Sequence, residues 1–312
     1  MRKERIDLNH KTILVTGSPG FIGANLVLRL LKELQDGTVV SLDNMNDYYD
    51  PALKEYRLSL IEQAAKGSPV EHVFIRGSIA DKALVDRVFR EYKPAVVVNL
   101  AAQAGVRYSI DHPDAYIESN LIGFYNILEA CRHNPVAHLV YASSSSVYGG
   151  NKKVPFSTED KVDNPVSLYA ATKKSNELLA HSYSKLYDIP ATGLRFFTVY
   201  GPAGRPDMFY FSATQKLVAG KTIQIFNYGN PENELTKFSF PSKVLEYMAS
   251  GGVVISSKLA GIPKEYEQFI ALLQEYSVDS LAYEMDKVFS MTEREYLEVL
   301  PYRAGRTIFE LR

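Results

Sequence analysis

Short apolar runs alternate with amphipathic segments along the amino-terminal part of the chain. From Lys11 onward each run is rich in Val, Ile and Leu, and between the runs apolar residues recur with the 3.6-residue spacing of a helix. The runs predict strands at Thr12–Thr16, Thr38–Leu42, His72–Arg76, Ala95–Leu100, His138–Ala142 and Ala191–Phe196. The amphipathic segments predict helices at Ile22–Leu34, Asp81–Tyr92, Asp114–Arg132 and Ser167–Leu186. Such alternation is typical of βα units, so the sequence predicts an α/β fold with a doubly wound parallel sheet.

The pattern changes between Tyr228 and Thr236, where the chain becomes polar and rich in Gly, Asn, Pro and Glu. Beyond this stretch the spacing predicts helices at Ser242–Ser250, Lys264–Tyr276 and Leu281–Met291. We therefore predict one domain over residues 1–230 and a helix-rich tail over residues 231–312.

Composition excludes several classes of protein. With 312 residues, 46% of them hydrophobic and 23% charged, the chain is not disordered, collagen-like or a coiled coil. A net charge of −1 supplies no field that would attract nucleic acid or anionic lipid, so neither is an expected partner. The scattered histidines include no i, i+4 pair, so no metal site is expected.

The location in the cell is predicted from two features of the sequence. Cys131 is the only cysteine and cannot form an intrachain disulfide, which fits a reducing compartment. Residues Met1–Asn9 lack the apolar core of a signal peptide, and no apolar stretch reaches the roughly 18 residues of a membrane span. We expect a cytoplasmic protein without a membrane segment.

A glycine-rich turn follows the first predicted strand and opens the first predicted helix. Gly17, Gly20 and Gly23 have the spacing that lets a backbone turn tightly and approach a pyrophosphate at a helix amino terminus. Asp43 ends the second strand about 20 residues on, where a carboxylate can bind both hydroxyls of an adenosine ribose. That carboxylate would repel an additional phosphate, so NAD is favoured over NADP. A turn that only packs helix on strand is the alternative.

A second constellation points to proton transfer. Tyr169 and Lys173 are one turn apart on one face of a predicted helix, and an ammonium and a nicotinium ring there would stabilise a phenolate. The fifth strand leads into Ser143–Ser146, at the sheet edge where ligands of doubly wound folds bind. A tyrosine base and a serine that holds the reacting sugar hydroxyl are the functional interpretation. In the alternative, structural interpretation, the Tyr/Lys pair is simply exposed and the serines simply form a loop.

Six stretches carry a resemblance to a known family: TGSPGFIGANL, SLDNMNDYYDP, NLAAQAGVRYS, YASSSSVYGGNKKVPFS, PVSLYAATKKSNE and LRFFTVYGPAGRPDM. From about Lys11 to Gly229 the chain resembles the extended short-chain dehydrogenase/reductases and, among them, the bacterial UDP-glucuronate 4-epimerases of the capsular type. The resemblance implies a Rossmann domain, bound NAD and conversion of UDP-glucuronate to UDP-galacturonate through a transient 4-keto sugar. It also implies a role in polysaccharide biosynthesis and a homodimer built on helices Asp114–Arg132 and Ser167–Leu186.

The resemblance assigns roles to individual residues. Tyr169 would be the base and acid, Lys173 would lower its pKa and bind the nicotinamide ribose, and Ser144 would bind the C4 oxygen. Besides Gly17, Gly20, Gly23, Asp43, Tyr169 and Lys173, the implied cofactor contacts are Phe21, Ile22, Asn44, Ser78, Ile79, Leu100, Ala101 and Ala102. The implied substrate contacts are Ser144, Ser145, Ser146, Thr198 and Arg205, with Arg205 as the charged partner of the uronate. Ser145 and Ser146 replace the acidic pair of dehydrating relatives, which disfavours dehydration.

The resemblance to epimerases ends near Asn230, before the stretch that completes the sugar-nucleotide domain of relatives. From about Leu235 to Leu281 the chain is instead similar to the donor-binding region of glycosyltransferases, in which Glu246 would bind the donor ribose. We therefore predict a truncated substrate domain followed by a glycosyltransferase-like fragment. A catalytically silent NAD-binding chimera and a fragment of a nucleotide-sugar glycosyltransferase are the alternatives to an epimerase.

Overall fold

A parallel sheet of six strands dominates the computed structural model. The structure describes residues 6–153, 155–199 and 201–208, the strands 254–257 and 270–273, and a few positions between 211 and 292. The six strands are β1 Thr12–Thr16, β2 Thr38–Asp43, β3 Glu71–Arg76, β4 Val96–Asn99, β5 His138–Ser144 and β6 Ala191–Phe196. Their order is β3-β2-β1-β4-β5-β6, and every neighbouring pair is parallel. The predicted doubly wound parallel sheet is confirmed.

Helices connect the strands. They are α1 Phe21–Glu33, α2 Pro51–Lys66, α3 Lys82–Tyr92, α4 Tyr108–Asp111, α5 Pro113–Tyr116, α6 Gly123–His133 and α7 Leu168–Tyr187. A π-helical turn, Ile117–Ile122, joins α5 to α6, and a 3-10 turn, Ser145–Tyr148, follows β5. Among the described residues no helix is both long and apolar enough to cross a bilayer.

Two apolar clusters pack on the two faces of the sheet. Ile13 and Val15 of β1 belong to one cluster with α1 and α2, whereas Leu14 belongs to the other with α3 and α6. Neighbouring residues of a strand point to opposite faces, so a sheet covered on both sides reads as a continuous apolar run. Cys131 of α6 is buried in the second cluster, and burial raises the pKa of its thiol to about 12.

Two features of the observed helices differ from the sequence predictions. Helix α2 was not predicted, because its buried residues include Lys54 and Arg57 as well as Ile61, so its apolar periodicity is weak. Its start carries a recognisable signal, since the Asp50 side chain accepts a hydrogen bond from Ala52 N and Pro51 is the first helical residue. The predicted helix Asp114–Arg132 is interrupted by the π-helical turn.

The chain divides into two compact units, Met1–Lys152 with Thr158–Asp207 and Lys153–Ser157 with Met208–Arg312. In the second unit, strands β7 Val254–Ser257 and β8 Ile270–Leu273 pair in parallel. The predicted helix Lys264–Tyr276 is therefore wrong over Ile270–Leu273. Periodicity cannot separate a strand from a buried helix in so short an apolar run, and pairing with β7 decides it.

Other predictions for this part of the chain stay predictions. The predicted boundary near residue 230, the helix Ser242–Ser250 and Glu246 lie outside the described residues. Within the predicted helix Leu281–Met291, the described residues Tyr283, Glu284 and Lys287 are helical, whereas Ser290 lies in a turn and Met291 is not helical, so the predicted end is wrong.

Candidate active site

The glycine turn between β1 and α1 has no room for a side chain at any of its three glycines, Gly17, Gly20 and Gly23. Gly17 has a φ of +72°, and a Cβ there would lie 2.7 Å from the backbone nitrogen of Ala101. A Cβ on Gly23 would overlap the carbonyl oxygen of Gly17. The turn therefore depends on glycine for both its backbone conformation and its packing. Beside it the Oγ of Ser18 is buried and has no hydrogen-bond partner among the described residues.

A cavity opens at the carboxyl ends of β2, β3 and β4. Six of the predicted cofactor residues line it together: Asp43, Asn44, Ser78, Ile79, Ala101 and Ala102. Three further predicted cofactor residues lie on segments that follow strands of the same sheet. Phe21 and Ile22 begin α1, and Leu100 directly follows β4. The cavity lies at the edge of the sheet where doubly wound folds bind their ligands. Its lining also includes Asn46, Lys54 and Ser119, which sequence reasoning missed.

Asp43 is nearly buried beside a lysine. Its Oδ1 accepts a hydrogen bond from Met45 N at 2.7 Å and lies 3.5 Å from the Nζ of Lys54. Lys54 also donates to the Oδ1 of Asn46 at 2.6 Å. These contacts of Asp43 all use Oδ1, and its Oδ2 has no hydrogen bond among the described residues. No spacing in the sequence singles out Lys54, since it belongs to the helix that the periodicity did not predict.

The predicted catalytic residues meet at the carboxyl end of β5. Helix α7 begins at Leu168 with Ser167 as its cap, so Tyr169 and Lys173 lie one turn apart. Lys173 is fully buried and donates from Nζ to the carbonyl oxygen of Ala142 at 2.9 Å. Ser144, the last residue of β5, donates from Oγ to Ser146 Oγ at 3.1 Å, and its hydroxyl also lowers the pKa of the Tyr169 phenol. The structure thus brings Ser144, Tyr169 and Lys173 into one place.

Burial governs the proton affinities of this group. Burial raises the pKa of Tyr169, whereas the nearby hydroxyl of Ser144 and the positive charge of Arg205 both lower it. Burial also lowers the pKa of Lys173 to about 8. Lys173 therefore keeps its proton at neutral pH and loses it in mildly alkaline solution.

Lys173 should make folding stability depend on pH in a defined direction. Its folded pKa of about 8 lies below the ordinary value of 10.5, so the unfolded chain binds more protons between these values and stability rises with pH there. Between pH 7 and pH 9.5 the free energy of unfolding of the unsubstituted chain should increase by about 2 kcal/mol relative to that of Lys173→Met. Urea unfolding of the cofactor-free proteins at both pH values measures this difference.

Lys174→Met is the matched control for this measurement. Lys174 is the next residue of α7 and lies 3.6 Å from Asp163 at the surface of the fold. Its substitution should change stability by the same amount at both pH values. A difference for Lys173→Met that does not depend on pH would contradict the assignment of a buried, protonated lysine.

The predicted substrate residues lie on the two segments that follow β5 and β6. Ser145 and Ser146 lie in the 3-10 turn, and the backbone nitrogen of Ser146 donates to Ser144 Oγ at 3.1 Å. Ser144 pairs in register with Phe196, which places Thr198 two residues beyond the neighbouring strand end. Arg205 lies farther along this second segment, and its charge acts on the phenol of Tyr169.

Arg205 is held by a carboxylate and an aromatic cluster. Its Nε donates to Asp207 at 3.0 Å and its Nη2 at 2.5 Å. Tyr48 donates from its hydroxyl to Asp207 at 3.2 Å, and its ring lies 5.9 Å from the guanidinium carbon. These bonds of Arg205 leave Nη1 without a partner among the described residues, so one edge of the guanidinium can still receive a second carboxylate.

A buried asparagine, missed by sequence reasoning, supports α7 from the π-helical turn. Asn120 donates to the carbonyl oxygen of Gln103 and to Thr172 Oγ1, both at 3.0 Å, and its own carbonyl accepts from Asn176 at 2.7 Å. These bonds join the segment after β4 to the helix that carries Tyr169. An asparagine within an apolar helical stripe was the only signal in the sequence.

A model of the NAD dependent epimerase/dehydratase family matches residues 13–237, which is more than half of the chain. The chain belongs to this family. The predicted membership of the extended short-chain dehydrogenase/reductases is thereby confirmed. The glycosyltransferase resemblance near residues 235–281 stays a prediction.

Several known proteins are similar to this chain over much of its length. Protein CapI of Staphylococcus aureus is 52% identical over 224 residues, 72% of this chain and 65% of that protein. UDP-glucuronate 4-epimerase 4 of Arabidopsis thaliana is 48% identical over 240 residues, 76% of this chain and 53% of that protein. The UDP-glucuronic acid 4-epimerase from Bacillus cereus, crystallised with UDP-glucuronic acid and NAD, has a TM-score of 0.61 at 35% identity. That match covers 69% of this chain and 65% of the other. The chain thus spans less than two thirds of the length of these three relatives.

Proposed function

We propose that the chain is an NAD-dependent epimerase that inverts C4 of UDP-glucuronate to give UDP-galacturonate. One observation carries the proposal. Tyr169 and Lys173 lie one turn apart on α7, and both the hydroxyl of Ser144 and the charge of Arg205 act on the phenol of Tyr169, so a base, a hydroxyl that can hold the reacting oxygen and a cation for a carboxylate lie close together. The B. cereus and Arabidopsis relatives bear the name of this activity, which supports the proposed substrate.

The residues present fit NAD. The glycine turn packs too tightly for any Cβ at Gly17 or Gly23, the buried Ser18 Oγ beside it has no hydrogen-bond partner among the described residues, and Asp43 lines the adjoining cavity. We propose that Gly17, Gly20 and Gly23 hold the pyrophosphate and that Asp43 binds the adenosine ribose. NAD would accept a hydride from C4 and return it, so the reaction has no net redox change.

The protein residues would handle the proton and the sugar. Tyr169 would remove the proton of the C4 hydroxyl. It would return the proton after the 4-keto sugar has rotated and its opposite face has received the hydride. Ser144 would hold the reacting oxygen, because its hydroxyl acts on the phenol that must approach that oxygen. Lys173, which is protonated at neutral pH, would bind the nicotinamide ribose. Ser145, Ser146 and Thr198 add hydroxyls near the uronate group.

Arg205 is proposed to bind the uronate and to protect it. In the 4-keto sugar the carboxyl group is β to a ketone, so the C5–carboxyl bond can break, its electron pair forming an enolate as carbon dioxide leaves. A charged hydrogen bond of about 1.5–3 kcal/mol restrains the carboxylate. Arg205→Ala should therefore release carbon dioxide about tenfold faster per turnover than the unsubstituted chain. Collection of labelled carbon dioxide from C6-labelled UDP-glucuronate measures this ratio, and an unchanged ratio would count against the role.

The direct test is product formation. Purified protein with bound NAD is incubated with UDP-glucuronate, and UDP-galacturonate is separated by chromatography. The alternative is a catalytically silent NAD-binding chain. This alternative is favoured by the observation that the chain matches only part of the length of its relatives. NAD bound without product would favour that alternative, whereas absence of NAD binding would contradict both.

A homodimer is proposed on the face formed by the helices on both sides of the π-helical turn and by α7. An apolar groove there is lined by Leu121, Ile122, Tyr125, Ser175, Leu178 and Leu179. Ile122 is 48% exposed and Leu178 is 59% exposed, and a second copy packed on the groove would remove both from water. Sedimentation equilibrium should give the mass of two chains; the mass of one chain would contradict the dimer.

A further inference from the structure

Arg57 is a buried arginine that binds three separate segments of the first unit. It belongs to α2, its side chain is 1% exposed, and its guanidinium makes four hydrogen bonds. Nε donates to the carbonyl oxygen of Ala203 at 2.9 Å, and Nη2 donates to that of Gly204 at 3.0 Å. Nη1 donates to the carbonyl oxygen of Pro19 at 3.2 Å and to the Tyr49 hydroxyl at 2.6 Å. Four of its five N–H groups are therefore used within the fold.

The segments that Arg57 joins are the two halves of the candidate active site. Pro19 lies in the glycine turn proposed for the pyrophosphate, and Ala203 and Gly204 directly precede Arg205. A second, longer contact also joins α1, which follows the glycine turn, to the segment before Arg205: Asn25 of α1 donates to the carbonyl oxygen of Pro202 at 3.5 Å. The position of Arg205 is thus set against the glycine turn.

The backbone at Ala203 indicates that this segment is held in place. Ala203 has a φ of +53°, in the left-handed region that a non-glycine residue occupies only where its surroundings enforce it. The carbonyl oxygens of Ala203 and of the next residue are those that Arg57 binds. The guanidinium therefore holds the turn that aims Arg205.

Among the described residues, hydrogen-bonding dipoles and the ring of Tyr49, whose centre lies 5.5 Å from the guanidinium carbon, compensate the charge of Arg57. No carboxylate among the described residues lies within ion-pairing distance of it, although a buried charge is costly unless paired. The carbonyl oxygens supply part of the compensation. An anion seated at the glycine turn, where Nη1 already binds Pro19, would supply more and would strengthen the bonds to that turn.

We propose that Arg57 is a positioning residue that couples the glycine turn to the Arg205 segment, so that a dinucleotide at the turn strengthens binding of a sugar carboxylate. The inference rests on the proposed function, since it takes NAD and UDP-glucuronate as the two ligands. Coupling of two sites is reciprocal, so either ligand should tighten the other by the same factor. Arg57 contacts neither ligand directly and acts through the two segments.

The coupling is measured as a ratio of dissociation constants. UDP-glucuronate is titrated calorimetrically into protein without and with saturating NAD, in a Tyr169→Phe background so that no turnover occurs. With Arg57 present, NAD should tighten UDP-glucuronate about tenfold, within the usual range of such couplings. In Arg57→Met the ratio should fall towards one, and Arg57→Lys should lie between. UDP-glucose, which lacks the carboxylate, should show little dependence on Arg57.

Arg29→Met is the matched control, because Arg29 is an exposed arginine of α1 paired with Glu33 and should leave the ratio unchanged. An unchanged ratio in Arg57→Met would overturn the inference while leaving the proposed function intact. Failure of the unsubstituted site to bind either ligand would instead contradict the proposed function.

A second measurement needs no substitution at Arg57 and applies if Arg57→Met fails to fold. Hydrogen exchange of the amides of residues 201–207 is followed with Arg57 in place, with and without NAD. NAD at the glycine turn should slow exchange in this segment at least threefold, although the cofactor is proposed to bind elsewhere. Exchange that NAD leaves unchanged would overturn the coupling.

Discussion

Tyr169→Phe should lower the rate of epimerisation by about a thousandfold or more while NAD remains bound. The substitution removes only the phenol oxygen, and general acid–base catalysis by one group contributes about 10²–10⁴-fold. The ring should keep its place, because it packs edge-on against Tyr116 with ring centres 6.1 Å apart. The substitution should lower kcat and leave KM nearly unchanged, because the proton is transferred in the chemical step and not when the substrate binds.

The measurement combines initial rates with the NAD content of the purified proteins. Tyr183→Phe is the matched control: Tyr183 lies on the same helix and its hydroxyl donates to Glu129 at 2.7 Å, so its loss should not slow turnover. If Tyr169→Phe kept the full rate, the proton-transfer role of Tyr169 would be wrong. If it lost its NAD as well, a structural role would explain the result.

Gly23→Ala should weaken NAD binding by at least about a hundredfold and should reduce stability. The added Cβ would overlap the carbonyl oxygen of Gly17, a backbone atom that cannot swing aside as a side chain can. Helix α1 must then shift from the glycine turn, and overpacking of this kind costs about 1–3 kcal/mol of the free energy of unfolding. The same shift withdraws the amino terminus of α1 from the proposed pyrophosphate.

Gly150→Ala is the control with the same added methyl group. No atom lies within 4 Å of a Cβ built at Gly150, so this substitution should leave both NAD affinity and stability nearly unchanged. Fluorescence titration with NAD and urea unfolding give the two quantities. Tight NAD binding by Gly23→Ala would show that the glycine turn is not the pyrophosphate site.

The sheet could be predicted closely because burial on both faces leaves a strong signal. The predicted bounds Thr12–Thr16 and Ala191–Phe196 match the structure, and β2 and β5 extend beyond prediction only by residues at the candidate site. The added residues are Asp43, Ser143 and Ser144, and as polar groups they ended the apolar runs early. Strand ends at a functional site carry polar residues because those residues bind ligands, so the apolar pattern predicts strands that are too short there.

The residues that position the site could not be predicted because their partners are distant in sequence. Arg57 and Pro202–Gly204 are about 146 positions apart, and Asn120 and Thr172 are 52 apart. A local pattern carries no record of such contacts. Local spacing did identify Tyr169 and Lys173, since a helix alone brings i and i+4 together.

The buried thiol of Cys131 has a practical consequence for spectroscopy. It is the only cysteine in the sequence, it lies in the core cluster on one face of the sheet, and burial keeps it protonated. Only thiolates react readily with alkylating reagents. A fluorophore could therefore be attached to a cysteine introduced on the surface without first removing the native one. Labelling of Cys131 itself would then report how often the core opens.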